Sequence, residues 1–171
     1  IYNADRAKKI RIAEAENIRT DVETRITGSD IDSAAVERAK LNAEHACVAA
    51  GRALQEIGCD SRIPRPDFIQ SDFTELEAPF DAGLLLCNPP YGERLGDEAE
   101  AELLYKRMSC LFKNFPGWEI GVITPHLKFQ ECIGKHAALL KDIKAGNLDT
   151  KFYIYSDKVG SKPQHKVHEK K

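Results

Sequence analysis

The sequence predicts an α/β fold built on a doubly wound, mostly parallel sheet, and three observations carry that expectation. Segments with helical periodicity alternate with short apolar runs along the chain, the order expected of βαβ units. The run Ala82-Gly83-Leu84-Leu85-Leu86-Cys87 lacks polar alternation, as does a strand buried on both faces of a parallel sheet. Polar turn residues follow the apolar runs at Ser29-Asp30 and at Asn88-Pro89-Pro90.

Taken in order, residues 4–20 read as a charged helix with Ala7, Ile10 and Ile18 as a weak apolar face. Residues 25–30 form a short strand running into a turn. A long helix spans 33–57, with Asp32 or Ser33 as its N-cap and Gly58 where a C-terminal glycine belongs. Strands are expected at 67–70 and 80–88, then a helix at 97–115, a buried strand at 118–124 and a helix at 127–140. Residues 151–156 alternate aromatics and predict an edge strand.

The 171 residues suit one domain with a single core, taken as residues 1–157, followed by a basic, disordered tail at 158–171. With 42% apolar and 30% charged residues, the composition is that of a soluble globular protein. No apolar run approaches the roughly 20 residues that span a bilayer, and the N-terminus has no secretory pattern. The expectation is a cytoplasmic protein without a membrane partner. Cys47, Cys59, Cys87, Cys110 and Cys132 are scattered and form no CxxC pair, so neither a metal site nor a disulfide framework is expected.

Five lysines against one glutamate give the tail a charge of +4 and leave the rest of the chain at -6. A body of that sign is no general polyanion binder, so affinity for nucleic acid must come from local contacts or from another domain; the basic tail could touch phosphate, though a disordered solubilising end is the favoured reading. His165 and His168 are read as bystanders in the tail. Neither a dinucleotide fingerprint nor a P-loop is present.

Asn88-Pro89-Pro90-Tyr91 leaves the apolar run at Cys87, and carboxyl ends of strands are where open α/β sheets bind ligands. This loop suits the exocyclic amine of a nucleic-acid base, a poor nucleophile whose lone pair is delocalised into the ring. The Asn88 side-chain oxygen and the Pro89 carbonyl would accept its two hydrogens and favour a tetrahedral nitrogen. Pro90 restricts the residue before it, and Tyr91 would stack on the base.

The longer run Asn88-Pro89-Pro90-Tyr91-Gly92-Glu93-Arg94-Leu95-Gly96 resembles the signature of an RNA methylase family. That family includes the bacterial 23S ribosomal RNA guanine-N2 methyltransferases. The resemblance covers about residues 25–155 and implies a Rossmann-like class I methyltransferase fold, S-adenosyl-L-methionine as cofactor and ribosomal RNA as partner.

It also implies cofactor roles. Gly28-Ser29-Asp30-Ile31-Asp32 is similar to the turn where an acidic residue holds the cofactor ribose, which maps to Asp30, with Ile31 against the adenine. A bare turn aspartate is the alternative, and Asp32 reads as the helix cap. Ser71-Asp72-Phe73 is similar to the next cofactor loop, giving Asp72 the adenine amine and Phe73 the ring face. Ala145-Gly146-Asn147-Leu148-Asp149 resembles a late family segment of no derived role. Glu93 and Arg94 are read as an ion pair that orients the loop, as a reach toward phosphate, or as structural; His126, after Pro125 at another strand end, reads as a solvated loop histidine, with lining of the cleft as the alternative.

The first glycine is Gly28, and nothing before it resembles the strand and glycine-rich loop that hold the methionine end of the cofactor. The chain is therefore expected to begin after that loop and to bind the cofactor weakly by itself. The same tetrapeptide would serve an N6-adenine methyltransferase on DNA or RNA. A non-catalytic α/β module is a further alternative. Cytosine-carbon methylation is disfavoured, because no Pro-Cys pair supplies its nucleophile.

Overall fold

Asn3 begins the first helix in the way its short polar side chain allows, by accepting from the Arg6 N–H at 2.9 Å. The computed structural model describes residues 3–21, 24–61, 63–91, 98–145 and 148–156. The expectations for Glu93, Arg94, Gly146, Asn147, His165, His168 and the basic tail lie outside them. The described chain divides into two compact units, Ile1–Phe73 and Thr74–Lys171.

In the first unit, α1 (Ala4–Ala15) ends five residues before its expected end. Asn17 turns its amide back onto the Ala13 carbonyl at 3.2 Å, a local bond that competes with continued helix. The strand β1 (Thr27–Asp30) leads into α2 (Ser33–Glu56), which Asp32 caps by accepting from the Ala34 N–H at 2.8 Å. At its far end Gly58 takes φ 75°, and the Cys59 N–H returns to the Leu54 carbonyl at 2.9 Å. This is a Schellman closure that a residue with a Cβ adopts only under strain. After α2 comes β2 (Asp67–Gln70), which pairs parallel with β1 from Thr27↔Asp67 to Asp30↔Gln70. Among the described residues of this unit, Ala15, Val36 and Leu54 are the buried apolar ones.

The second unit holds a four-stranded sheet in the order β3-β4-β6-β5. Its strands are β3 (Leu84–Cys87), β4 (Glu119–Thr124), β5 (Leu139–Ala145) and β6 (Leu148–Tyr155). β3 and β4 run parallel, whereas β6 is antiparallel to both β4 and β5. Helices α3 (Glu98–Arg107) and α4 (Leu111–Asn114) occupy the β3–β4 connection, with a 3₁₀ turn at Met108–Cys110 between them. The single helix expected over 97–115 is thus interrupted where the Ser109 hydroxyl donates to the Lys106 carbonyl at 2.7 Å.

Four expectations from the sequence do not hold. The helix expected over 127–140 is only α5 (Phe129–Ile133), because Gly134 at φ 71° stops it. The Gln130 side-chain oxygen then takes the Ala137 N–H at 2.7 Å, and Leu139 onward joins the sheet as β5. The aromatic strand β6 is interior, flanked by β4 and β5, so the edge belongs to β5. β3 alternates in burial, with Leu84 and Leu86 57% and 64% exposed. It has one packed face and sits at the sheet edge, so it is not buried on both faces. It also starts later than expected, since the Phe80 carbonyl accepts the Trp118 indole N–H at 2.8 Å.

Aromatic packing dominates the second core. Tyr105, Phe129, Tyr153 and Tyr155 are essentially inaccessible, together with Leu111, Ile120 and Val122. Phe129 meets Tyr105 edge-on at 5.0 Å between centroids, and Phe112 meets Tyr155 likewise at 5.0 Å. Such pairs contribute about 0.5–1.5 kcal/mol each beyond their buried area.

Candidate active site

Parallel pairing puts functional loops together at carboxyl strand ends, and each unit does this separately. In the first unit, Asp30 and Gln70 are register partners, so Asp30-Ile31 and Ser71-Asp72-Phe73 emerge at the same end of the sheet. Asp30 is exposed, and its Oδ1 accepts the Asp32 N–H at 2.9 Å, which fixes the carboxylate against the turn. Ile31 leaves 68% of its surface open, and its carbonyl accepts from Gln70 Nε2 at 3.1 Å. The Ser71 N–H is held by the Asp30 carbonyl at 3.0 Å, tying the two loops through backbone. Asp72 and Phe73 are half-buried beside that bond. An open carboxylate, an open apolar side chain and a second acid on neighbouring loops fit the hydroxyls and ring of a nucleoside.

In the second unit, Cys87 and Val122 are register partners, so the loop Asn88–Tyr91 lies at the same sheet end as Thr124-Pro125-His126. Pro89 is buried, Asn88 and Pro90 are exposed, and Tyr91 is half-buried. A buried proline between exposed neighbours fixes the backbone while leaving the Asn88 amide free to meet a ligand. The fully buried Tyr105 hydroxyl lies 3.4 Å from the Pro90 carbonyl and 3.2 Å from Thr124 Oγ1. Burial pushes that hydroxyl above the usual tyrosine range, against the lowering effect of Thr124.

His126 is a correction to the sequence reading. Its side chain is only 11% exposed, and its ring stands edge-on to Tyr105 at 5.2 Å. Nε2 lies 3.6 Å from Glu98 Oε1 and 4.0 Å from Glu102 Oε1, two carboxylates one helical turn apart on α3. These donor atoms lie within 4.8 Å of one another, a spacing that a divalent ion would have to tighten. Glu98 is 71% exposed, so the group also stands as an ordinary contact between a buried imidazole and two carboxylates at the rim. Sequence inspection misses it because the glutamates and the histidine are separated by the length of α3, α4 and β4.

Cys87 directly precedes the loop, and burial pushes its thiol from 9.0 up to about 11. A raised value keeps the thiol neutral until the pH rises through that region, so it is a poor nucleophile at neutral pH. At pH 8, native Cys87 should react with iodoacetamide at least about tenfold more slowly than in the denatured chain, read by peptide mass spectrometry. Equal labelling in both states would contradict this.

Loops gathered at the carboxyl ends of parallel strands, one of them Asn-Pro-Pro-Tyr, are the arrangement in which α/β domains bind ligands. Residues 2–154 match UPF0020, the RMKL-like methyltransferase domain, and the chain belongs to that family. "Putative RNA methyltransferase YpsC" of Bacillus subtilis (strain 168) is 32% identical over 92% of the chain and 37% of its own length. "Ribosomal RNA large subunit methyltransferase K/L" of Shewanella pealeana is 32% identical over 84% of the chain and 18% of its own length. The chain therefore spans well under half of each of these relatives.

Among solved structures, the "predicted N6-adenine-specific DNA methylase" of Listeria monocytogenes superposes with a TM-score of 0.61. It is 33% identical over 84% of this chain and 33% of that one. SMU.472, solved in complex with SAH, superposes with a TM-score of 0.65 at 23% identity, over 91% of this chain and 37% of that one. That likeness shows the fold. Among the described residues no helix is long and apolar enough to cross a membrane.

Proposed function

We propose that the protein carries the methyl-transfer domain of an S-adenosyl-L-methionine-dependent enzyme acting on the exocyclic amine of a nucleic-acid base. The base is guanine, modified at N2 in 23S ribosomal RNA, in the cytoplasm. The observation that carries the reading is the loop Asn88–Tyr91, set at the end of β3 with Pro89 buried and Asn88 exposed. The names of the K/L relatives favour ribosomal RNA as substrate.

The cofactor supplies an electrophilic methyl group on a sulfonium. In the first unit, Asp30 would take the ribose hydroxyls, Ile31 and Phe73 the adenine faces, and Asp72 the adenine amine. In the second unit, Asn88 Oδ1 and the Pro89 carbonyl accept the two hydrogens of the target amine. Both acceptors draw the nitrogen lone pair out of conjugation and point it along one direction. Tyr91 stacks on the extruded base and limits its tilt. The amine nitrogen would form its bond to the methyl carbon as the sulfur–methyl bond breaks with its electron pair left on sulfur, and the cationic nitrogen would then lose one proton to water. No strongly basic side chain is required.

The likeness to a protein named as an N6-adenine DNA methylase favours a second reading, in which the same loop holds an adenine amine. Incubating the whole gene product with methyl-labelled cofactor and either ribosomal RNA or duplex DNA separates the two. Label in RNA guanine supports the first reading, label in adenine the second, and label in neither nucleic acid overturns both.

A further inference from the structure

The target-holding loop is secured by a side chain some fifteen residues downstream. Tyr105 lies on α3, is fully buried, and brings its hydroxyl to 3.4 Å from the Pro90 carbonyl and 3.2 Å from Thr124 Oγ1. Thr124 is itself fully buried at the end of β4, and its Oγ1 accepts the His126 N–H at 3.2 Å.

The direction of every proton in this chain follows from its two ends. The His126 amide can only donate and the Pro90 carbonyl can only accept. Thr124 therefore donates its hydroxyl hydrogen to Tyr105, and Tyr105 donates to Pro90. Three bonds in one sense connect the loop after β3 to the loop after β4, and every hydrogen along the line is donated. Aligned bonds of this kind polarise one another in a low-dielectric core. The raised titration of the Tyr105 hydroxyl is consistent with a permanent donor.

We infer that Tyr105, oriented by Thr124, is a positioning residue that pins the Pro90 carbonyl and thereby sets the direction of the Pro89 carbonyl and the Asn88 side chain. This rests on the reading of Asn88–Tyr91 as the amine-holding loop. Pro89 and Pro90 each have a ring-fixed φ, so the main freedom left in the loop is rotation of the peptide units about ψ. A hydrogen bond on the Pro90 carbonyl removes that rotation at the outer end, while pairing of Cys87 in β3 removes it at the inner end. The edge-on contacts of Tyr105 with Phe129 and His126 hold its ring, so the hydroxyl has one place to go.

The test uses the whole gene product carrying Tyr105→Phe, Thr124→Val or Asn88→Ala. Tyr105→Phe keeps the ring and its packing and loses only the donor. Single-turnover rates at saturating cofactor and RNA are expected to fall about tenfold, and about threefold for Thr124→Val, as for a misdirected catalytic group. The KM for RNA and the affinity for the cofactor are expected to stay within about twofold of wild type. Circular dichroism and the melting temperature establish that each variant is folded.

A folded Tyr105→Phe protein with wild-type kcat overturns the inference. So does a fall in kcat matched by equal losses in cofactor binding and folded fraction, the mark of a merely structural role. Asn88→Ala separates this failure from that of the loop itself. If Asn88→Ala is inactive and Tyr105→Phe is unimpaired, the clamp is wrong and the loop reading stands. If Asn88→Ala is also unimpaired, the loop reading falls with it.

Discussion

Asn88→Ala should lower the single-turnover rate of methyl transfer by about a hundredfold to a thousandfold, the size of effect seen when one oriented hydrogen-bonding group is removed from a transition state. The amine must leave conjugation with its ring as the new bond forms, and Asn88 Oδ1 is one of two acceptors that assist. Alanine leaves the Pro89 carbonyl alone, so the amine can rotate and keep its lone pair in the ring. Asn88 is exposed, so folding stability should change by no more than about 0.5 kcal/mol. Asn88→Asp keeps an acceptor at the same place and should retain more activity than Asn88→Ala. Rapid-quench assay of the three proteins with the same RNA checks the order, and equal rates for all three would contradict it.

Phe129→Ala is expected to destabilise the second unit by about 3–5 kcal/mol, the cost of emptying an aromatic site in a core that relaxes only partly. Phe129 is completely buried on α5 and touches both Tyr105 and Tyr153 at 5.0 Å between centroids. A domain of this size is commonly stable by about 5–15 kcal/mol, so the loss takes a large share. Urea denaturation followed by tyrosine and tryptophan fluorescence measures it. Leu127, two residues earlier and 80% exposed, is the internal control, since Leu127→Ala should shift the midpoint little. Comparable losses for the two variants would contradict this picture of the core.

Where local chemistry decides the structure, it could be read directly from the chain. Asp32 caps α2 because its carboxylate reaches the Ala34 N–H, and Gly58 closes the helix because it accepts a positive φ. β2 falls on the expected residues and β4 within one of them. The segment 127–140 defeated the reading for a tertiary reason. Its apolar residues suit a helix as well as a strand, and β5 exists because β6 offers it an antiparallel partner along seven register pairs. Gly134 was the available signal, a stop in the middle of an otherwise helical pattern.

The candidate site divides in the same way. Asn88-Pro89-Pro90-Tyr91 and the acidic turns are contiguous in sequence and could be named from it. Tyr105, Thr124 and His126 come from separate elements, and only packing assembles them. For His126 the solvated reading gives way to the cleft-lining alternative, because a histidine after a proline carries no local sign of burial. Its 11% exposure comes from the α3 face against which it packs.

The central claim is that the loop after β3 presents an exocyclic amine, and no other atom, to the methyl group. Mass spectrometry of nucleosides digested from RNA methylated by the whole gene product, wild type against Asn88→Ala, tests it most directly. N2-methylguanosine is expected from the wild-type protein and almost none from the variant. A methyl found on a ring carbon or a sugar oxygen, or undiminished N2-methylguanosine from Asn88→Ala, would contradict it.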